Sequence, residues 1–217
     1  MIKALIFDFD GVLVDSEPLH FATEKYLVEK YGAKFNRKAY ENTLGRSIVD
    51  CITYYRSIFD IRLSTKTLLK EHDQIFLDMV DKKLRLISGV KRLIRMLKKN
   101  NYLYAIASSA NMAFIAKALK KFNLYGEFRR RITGIEKVQK GKPAPDLFLC
   151  CAKQIGMAPE SCLVLEDALN GVEAAVNAQM HCLYLGKQKL PEKFLMKVKH
   201  ISNLSEIDPF LLKRFAQ

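Results

Sequence analysis

The chain has 217 residues, 49% of them hydrophobic and 27% charged, and a formal net charge of +13. That size and balance exclude a disordered segment and suit one substantial domain, or a core domain carrying a smaller insertion. There is no apolar run of the roughly 18 residues that a spanning helix needs, and no small-residue cleavage site follows MIKALIFDFDG, so a cytoplasmic protein with no membrane association is expected.

In chain order, the first apolar run is KALIFDF (3–9). It is short and closed by Gly11, which suits a parallel strand buried on both faces. Asp8 and Asp10 end it, and side-chain alternation along an extended chain sends both carboxylates to one side. Gly11 lets the backbone turn tightly beside a ligand. Taken alone, the pair reads equally well as strand-end solvation or helix capping.

From there to residue 88 no convincing strand occurs. PLHFATEKYLVEKYG, IVDCITYYRSIF and TKTLLKEHDQIFLDMVDKKL carry helical periodicity instead. A crossover rarely needs so many residues, so 15–87 is expected to be an inserted helical cap, with 1–14 and 88–217 forming the core.

Beyond the cap, short apolar runs alternate with amphipathic helical patterns. The runs are LYAIASS (103–109), SCLVLED (161–167) and HCLYLG (181–186); the helices are 89–100, 111–122, 145–156 and 169–178. This alternation predicts an α/β core, a doubly wound parallel sheet of Rossmann-like type with right-handed crossovers.

The strand ends hold the chemistry-bearing residues. Ser108, Ser109 and Asn111 stand before a helix, where a serine serves as N-cap and where free N–H groups also bind phosphate. Lys142 lies in KGKPAPD, whose prolines stiffen the entry to the helix near Asp146. Glu166 and Asp167 end SCLVLED, giving a second acidic patch at the sheet edge where open α/β sheets bind ligands. Two acidic ends in one crevice call for a cation, and few carboxylates completed by water and phosphate suit Mg²⁺.

The remaining features are read as structural. The basic clusters VKRLIRMLKK and KALKKF interleave with apolar residues at helical spacing, as solvated helix faces do, and no nucleic-acid motif accompanies them. No nucleic-acid partner is expected; the excess charge would at most steer anionic substrates. Cys51, Cys150, Cys151, Cys162 and Cys182 lack a CxxC pairing and sit in apolar stretches, as reduced core thiols do. No zinc site is legible in them.

Together DFDGVLVDSEPLH, the serine of AIASS, the lysine of GKPAPD and LEDALNGVEAA resemble the four ordered motifs of the haloacid dehalogenase superfamily. More narrowly they resemble its β-phosphoglucomutase-like group of sugar-phosphate phosphatases and mutases. The resemblance implies that Asp8 is the nucleophile that forms an aspartyl-phosphate and Asp10 the general acid/base. It implies Mg²⁺ as cofactor, held by Asp8, the backbone carbonyl of Asp10 and Asp167, with Glu166 in support or bound through water. Ser108 and Lys142, with Ser109 and Asn111 beside them, would bind the phosphoryl oxygens of a small phosphorylated metabolite.

Phosphatase and mutase share this chemistry and would differ in the cap. The mutase-like members carry a segment similar to Lys-Gly-x-Ser-x-Arg. Here it reads TLGRSIVDC, with Leu44 in the lysine position, no arginine after Ser47, and Arg46 the nearby cation. With a second phosphate poorly held, hydrolysis of a phosphomonoester is expected ahead of mutase activity, with a silent binding protein behind; dehalogenation, which needs no Mg²⁺-binding acid cluster, is set aside. His20 matches a substrate-side histidine of the group, though a partly buried helix histidine reads equally well. A monomer is the default expectation.

Overall fold

The computed structural model describes residues 1–43 and 46–215. They form two compact units, Met1–Asp15 with the chain from Arg85 onward, and Ser16–Leu84.

In chain order the elements are β1 (Ala4–Phe7), β2 (Val14–Asp15), α1 (Glu17–Lys30), α2 (Arg37–Glu41), α3 (Ile48–Ile58), α4 (Thr65–Lys83) and β3 (Arg85–Leu86). Then come α5 (Val90–Lys99), β4 (Leu103–Ala107), α6 (Met112–Lys121), α7 (Tyr125–Phe128), β5 (Ile132–Thr133) and α8 (Asp146–Gln154). The chain continues through β6 (Cys162–Glu166), α9 (Leu169–Asn177), β7 (His181–Tyr184), β8 (Val198–His200) and α10 (Pro209–Arg214).

The core sheet runs in the order β5-β4-β1-β6-β7-β8, every pair parallel. The chain therefore builds outward from β1 on one side through β4 and β5, then returns to β1's other edge with β6 and builds outward again. That reversal puts a topological switch point between β1 and β6, where doubly wound sheets open a crevice.

Alternation in β1 shows why its sequence is uniformly apolar. Ala4 and Ile6 join a cluster with Leu147, Phe148 and Cys151 of α8 and Val172 and Ala175 of α9. Phe7 meets Phe128 of α7 edge to face, 6.2 Å between centroids. Both faces are covered, so neither admits a polar residue. The outer helices are amphipathic as expected: in α5, Val90, Leu93, Ile94 and Leu97 are buried while Lys91, Arg92, Arg95, Lys98 and Lys99 are exposed. All five cysteines are free thiols, and four of them are buried.

The helical unit has its own core, in which Leu27, Val28, Phe35, Tyr40, Ile52, Tyr55 and Leu68 pack together. Three of its helices, α2, α3 and α4, start on side-chain caps: Asn36, Ser47 and Ser64 accept from the backbone N–H three residues on, in Ala39, Asp50 and Thr67.

Two expectations need correction. The stretch before residue 88 does contain strands, because β2 and β3 pair antiparallel, Val14 with Leu86 and Asp15 with Arg85. Two-residue strands are too short to leave a periodic signature, and their pairing joins positions far apart in sequence. The ribbon belongs to the core unit, so the helical unit spans Ser16–Leu84 rather than 15–87. Secondly, β1 stops at Phe7, and Asp8 and Asp10 lie in the turn beyond it, where Asp10 bridges Val14.

Candidate active site

Three strand ends converge on the switch point. Asp8 follows β1, with its N–H bonded to the Leu165 carbonyl of neighbouring β6 at 2.9 Å, which registers it beside Glu166. Asp8 is buried, 6% exposed, and Glu166 only 1%. The Lys142 ammonium, its side chain 4% exposed, bonds both Asp8 Oδ1 and Glu166 Oε1. Glu166 Oε2 accepts from the N–H groups of Asp167 and Ala168, at 2.9 and 3.0 Å. Both of its oxygens are thus engaged by the protein, and its carboxylate fixes Lys142 on one side and the turn into α9 on the other.

The electrostatics follow from too much negative charge in a dry place. Burial raises the Asp8 carboxyl well above its usual range; Lys142 opposes the rise, while Glu166 and Asp10 add to it. Burial likewise pushes Asp167 up to about 6, helped by Glu166. Lys142 loses by burial but gains more from Asp8 and Glu166, and stays protonated well above the ordinary lysine range. One ammonium does not balance these acids.

Asp8, Glu166 and Asp167 each bring a carboxylate oxygen within 4.8 Å of the others. An all-oxygen set with uncompensated charge has the donor chemistry of a hard divalent cation, so the residues fit the Mg²⁺ expected from sequence. Gly11 keeps space there: it has φ +75°, and a Cβ at this position would stand 1.8 Å from Asp167 Oδ2.

Ser108 follows β4, 1% exposed, with its Oγ accepting from Ala110 N–H at 3.0 Å. Ser109 and Asn111 are exposed at the start of α6. The Asn111 carboxamide oxygen caps α6, accepting from Phe114 N–H at 2.8 Å, which leaves its N–H groups to face an anion.

The cap candidates have different surroundings. Arg46 is exposed, its guanidinium 5.4 Å from the centre of the Tyr54 ring; Leu44 lies outside the described residues. His20 packs against Phe76, 4.8 Å between ring centroids, and burial beside His72 lowers its pKa to about 4.

One residue escaped the sequence reading. A Cβ on Gly171 would stand 1.7 Å from Glu166 Oε1, so this glycine of α9 is what lets Glu166 lie against the helix and reach Lys142. The signal available was a glycine inside a helical pattern, which costs stability unless something approaches closely.

Comparison with known proteins places the chain in a family. The haloacid dehalogenase-like hydrolase family matches residues 5–185. The hexitol phosphatase B of Escherichia coli K12 is 30% identical over 212 residues, covering 95% of this chain and 94% of that protein. The β-phosphoglucomutase of Bacillus subtilis is 30% identical over 193 residues, covering 86% and 84%. The crystal structure of a haloacid dehalogenase hydrolase from Entamoeba histolytica superposes with a TM-score of 0.83 at 25% identity, covering 99% of each chain. With the motif residues gathered at one sheet edge and the match running through all of them, the chain belongs to the haloacid dehalogenase-like hydrolases.

Proposed function

We propose that this enzyme is a Mg²⁺-dependent phosphatase that hydrolyses a small phosphomonoester, a sugar phosphate or similar metabolite, through a phosphoenzyme on Asp8. The observation that carries the reading is the buried Asp8 carboxylate held beside Lys142 and the Glu166–Asp167 pair at the switch point.

In the first step an Asp8 oxygen forms a bond to phosphorus while the bond to the leaving oxygen breaks, and Asp10 donates a proton to that oxygen. In the second, Asp10 takes a proton from water as the water oxygen bonds to phosphorus and the acyl phosphate breaks, returning Asp8 and releasing phosphate. Lys142 and Ser108 hold the non-bridging oxygens, with backbone N–H groups of Ser109 and Asn111 at the start of α6 in support. Asp8, the Asp10 carbonyl and Asp167 would hold Mg²⁺, with Glu166 behind them or bound through water; the ion supplies charge neutralisation to the acids and the transferring phosphoryl group.

Likeness to a named β-phosphoglucomutase, equal in identity to the likeness to a named hexitol phosphatase, favours a second reading, a phosphosugar mutase. Against it, Arg46 is the single cation of the TLGRSIVDC segment, and one arginine grips a second phosphate poorly. The test is phosphate release from a panel of sugar phosphates, phosphoglycolate and nucleotides with and without Mg²⁺, alongside isomerisation of β-glucose 1-phosphate. Mg²⁺-dependent release that Asp8→Asn abolishes supports the phosphatase; isomerisation without release replaces it with the mutase; no turnover overturns both.

A further inference from the structure

His20 and Glu24 lie four residues apart on α1 and so share a face of the helix. His72 comes from α4, and one ligand atom from each of the three residues falls within 4.8 Å of the others. All three belong to the helical unit. The core acids Asp8, Glu166 and Asp167 form a separate group.

Each of the three side chains is held from behind. Glu24 Oε2 accepts from the Tyr55 hydroxyl, whose oxygen lies 2.6 Å from Thr43 Oγ1. The Phe76 ring lies against both imidazoles, 4.8 Å from His20 and 5.7 Å from His72. His72 Nδ1 faces Asp73 Oδ1 at 3.3 Å. Its other nitrogen, Nε2, is buried with no hydrogen-bond partner, on a side chain only 4% exposed.

A buried imidazole nitrogen without a partner is uncommon, because the group gives up hydration for nothing. An imidazole oriented through Nδ1 by a carboxylate, presenting a bare Nε2 beside a second imidazole and a hydrogen-bonded glutamate, is how proteins prepare a metal ligand. We propose that His20, Glu24 and His72 form a second metal site, inside the helical unit, for a divalent transition ion of the zinc class.

Two imidazoles and one carboxylate suit Zn²⁺, Co²⁺ or Cu²⁺ far better than Mg²⁺, and leave one position of a tetrahedron to water. Ligand atoms on such an ion stand roughly 3.3 Å apart, given bonds of about 2.0–2.2 Å.

The test uses the untagged chain, stripped with chelator and titrated with Co²⁺ in excess Mg²⁺. One equivalent should bind with the intense visible absorption of a four- or five-coordinate ion, and Zn²⁺ should displace it and raise the melting midpoint. The equivalent should be lost in Glu24→Gln and His72→Gln, weakened about 10–100-fold in Tyr55→Phe, and kept in Asp167→Asn. If His72→Gln fails to fold, Glu24→Gln decides. Binding that survives Glu24→Gln but disappears in Asp167→Asn would assign the ion to the core acids, and either that result or no bound equivalent overturns the proposal.

Discussion

At the scale of single residues, Asp8 and Asp10 make different predictions although both are motif acids. Asp8→Asn should reduce phosphate release to background while leaving the metal-free protein at least as stable as wild type. It removes a buried carboxylate that burial, Glu166 and Asp10 all disfavour in its charged form; a thermal melt in chelator beside a phosphate-release assay reads both effects. Asp10→Asn should lower kcat about 10²–10⁴-fold, the usual value of a positioned general acid/base, with single-turnover kinetics locating the loss. Gly171→Ala probes Glu166 without touching it: with Glu166 Oε1 only 1.7 Å from the new Cβ, overpacking should cost about 1–3 kcal/mol in denaturant melts and raise the Mg²⁺ concentration needed for half activity. The acids and Ser108 stood out as candidates because their motifs end apolar runs, and Lys142 because its KGKPAPD segment leads into α8. What Gly171 does was not legible, since it depends on a carboxylate folding back onto the helix that follows its own strand.

At the scale of elements, the four long strands of the core and its amphipathic helices could be read from apolar runs and three- and four-residue spacing. The ribbon of β2 and β3, the edge strands β5 and β8, and short α2 and α7 could not, because each holds at most about one and a half periods of its own pattern. The pairing of α1 with α4 also lies beyond sequence, and with it the environment of Glu24, 4% exposed among Tyr55, Tyr40, Cys51, His20 and His72. Burial raises Glu24 from the ordinary 4.5 to about 7, against the Tyr55 hydrogen bond. In the metal-free protein the folded state holds this proton more tightly than the unfolded chain does. The stabilisation is therefore complete below about pH 4.5 and is lost as pH rises through about 7, a difference on the order of 3 kcal/mol. Glu24→Gln keeps an acceptor for Tyr55 and removes the titration. Melts in chelator at pH 5 and pH 8 should show the variant gaining on wild type at the higher pH and not at the lower.

At the scale of the whole molecule, the charge of +13 is distributed over solvated helix faces such as that of α5, and its expected consequence is kinetic. A cationic protein gathers anionic substrate through a field that salt screens. KM for a phosphomonoester should therefore rise several-fold from low salt to about 0.3 M NaCl while kcat changes far less, as initial rates across a salt series would show. The ribbon has a consequence of another kind. Because Asp15 pairs directly with Arg85, the chain leaves the core and re-enters it at neighbouring points of one ladder. Everything between them is an excursion whose two ends are already joined by backbone hydrogen bonds. In genetic terms such an excursion is a cassette: a lineage could lengthen, exchange or delete it without re-threading the sheet, and a tight Asn-Gly turn spliced between Asp15 and Arg85 would close the gap as an ordinary hairpin.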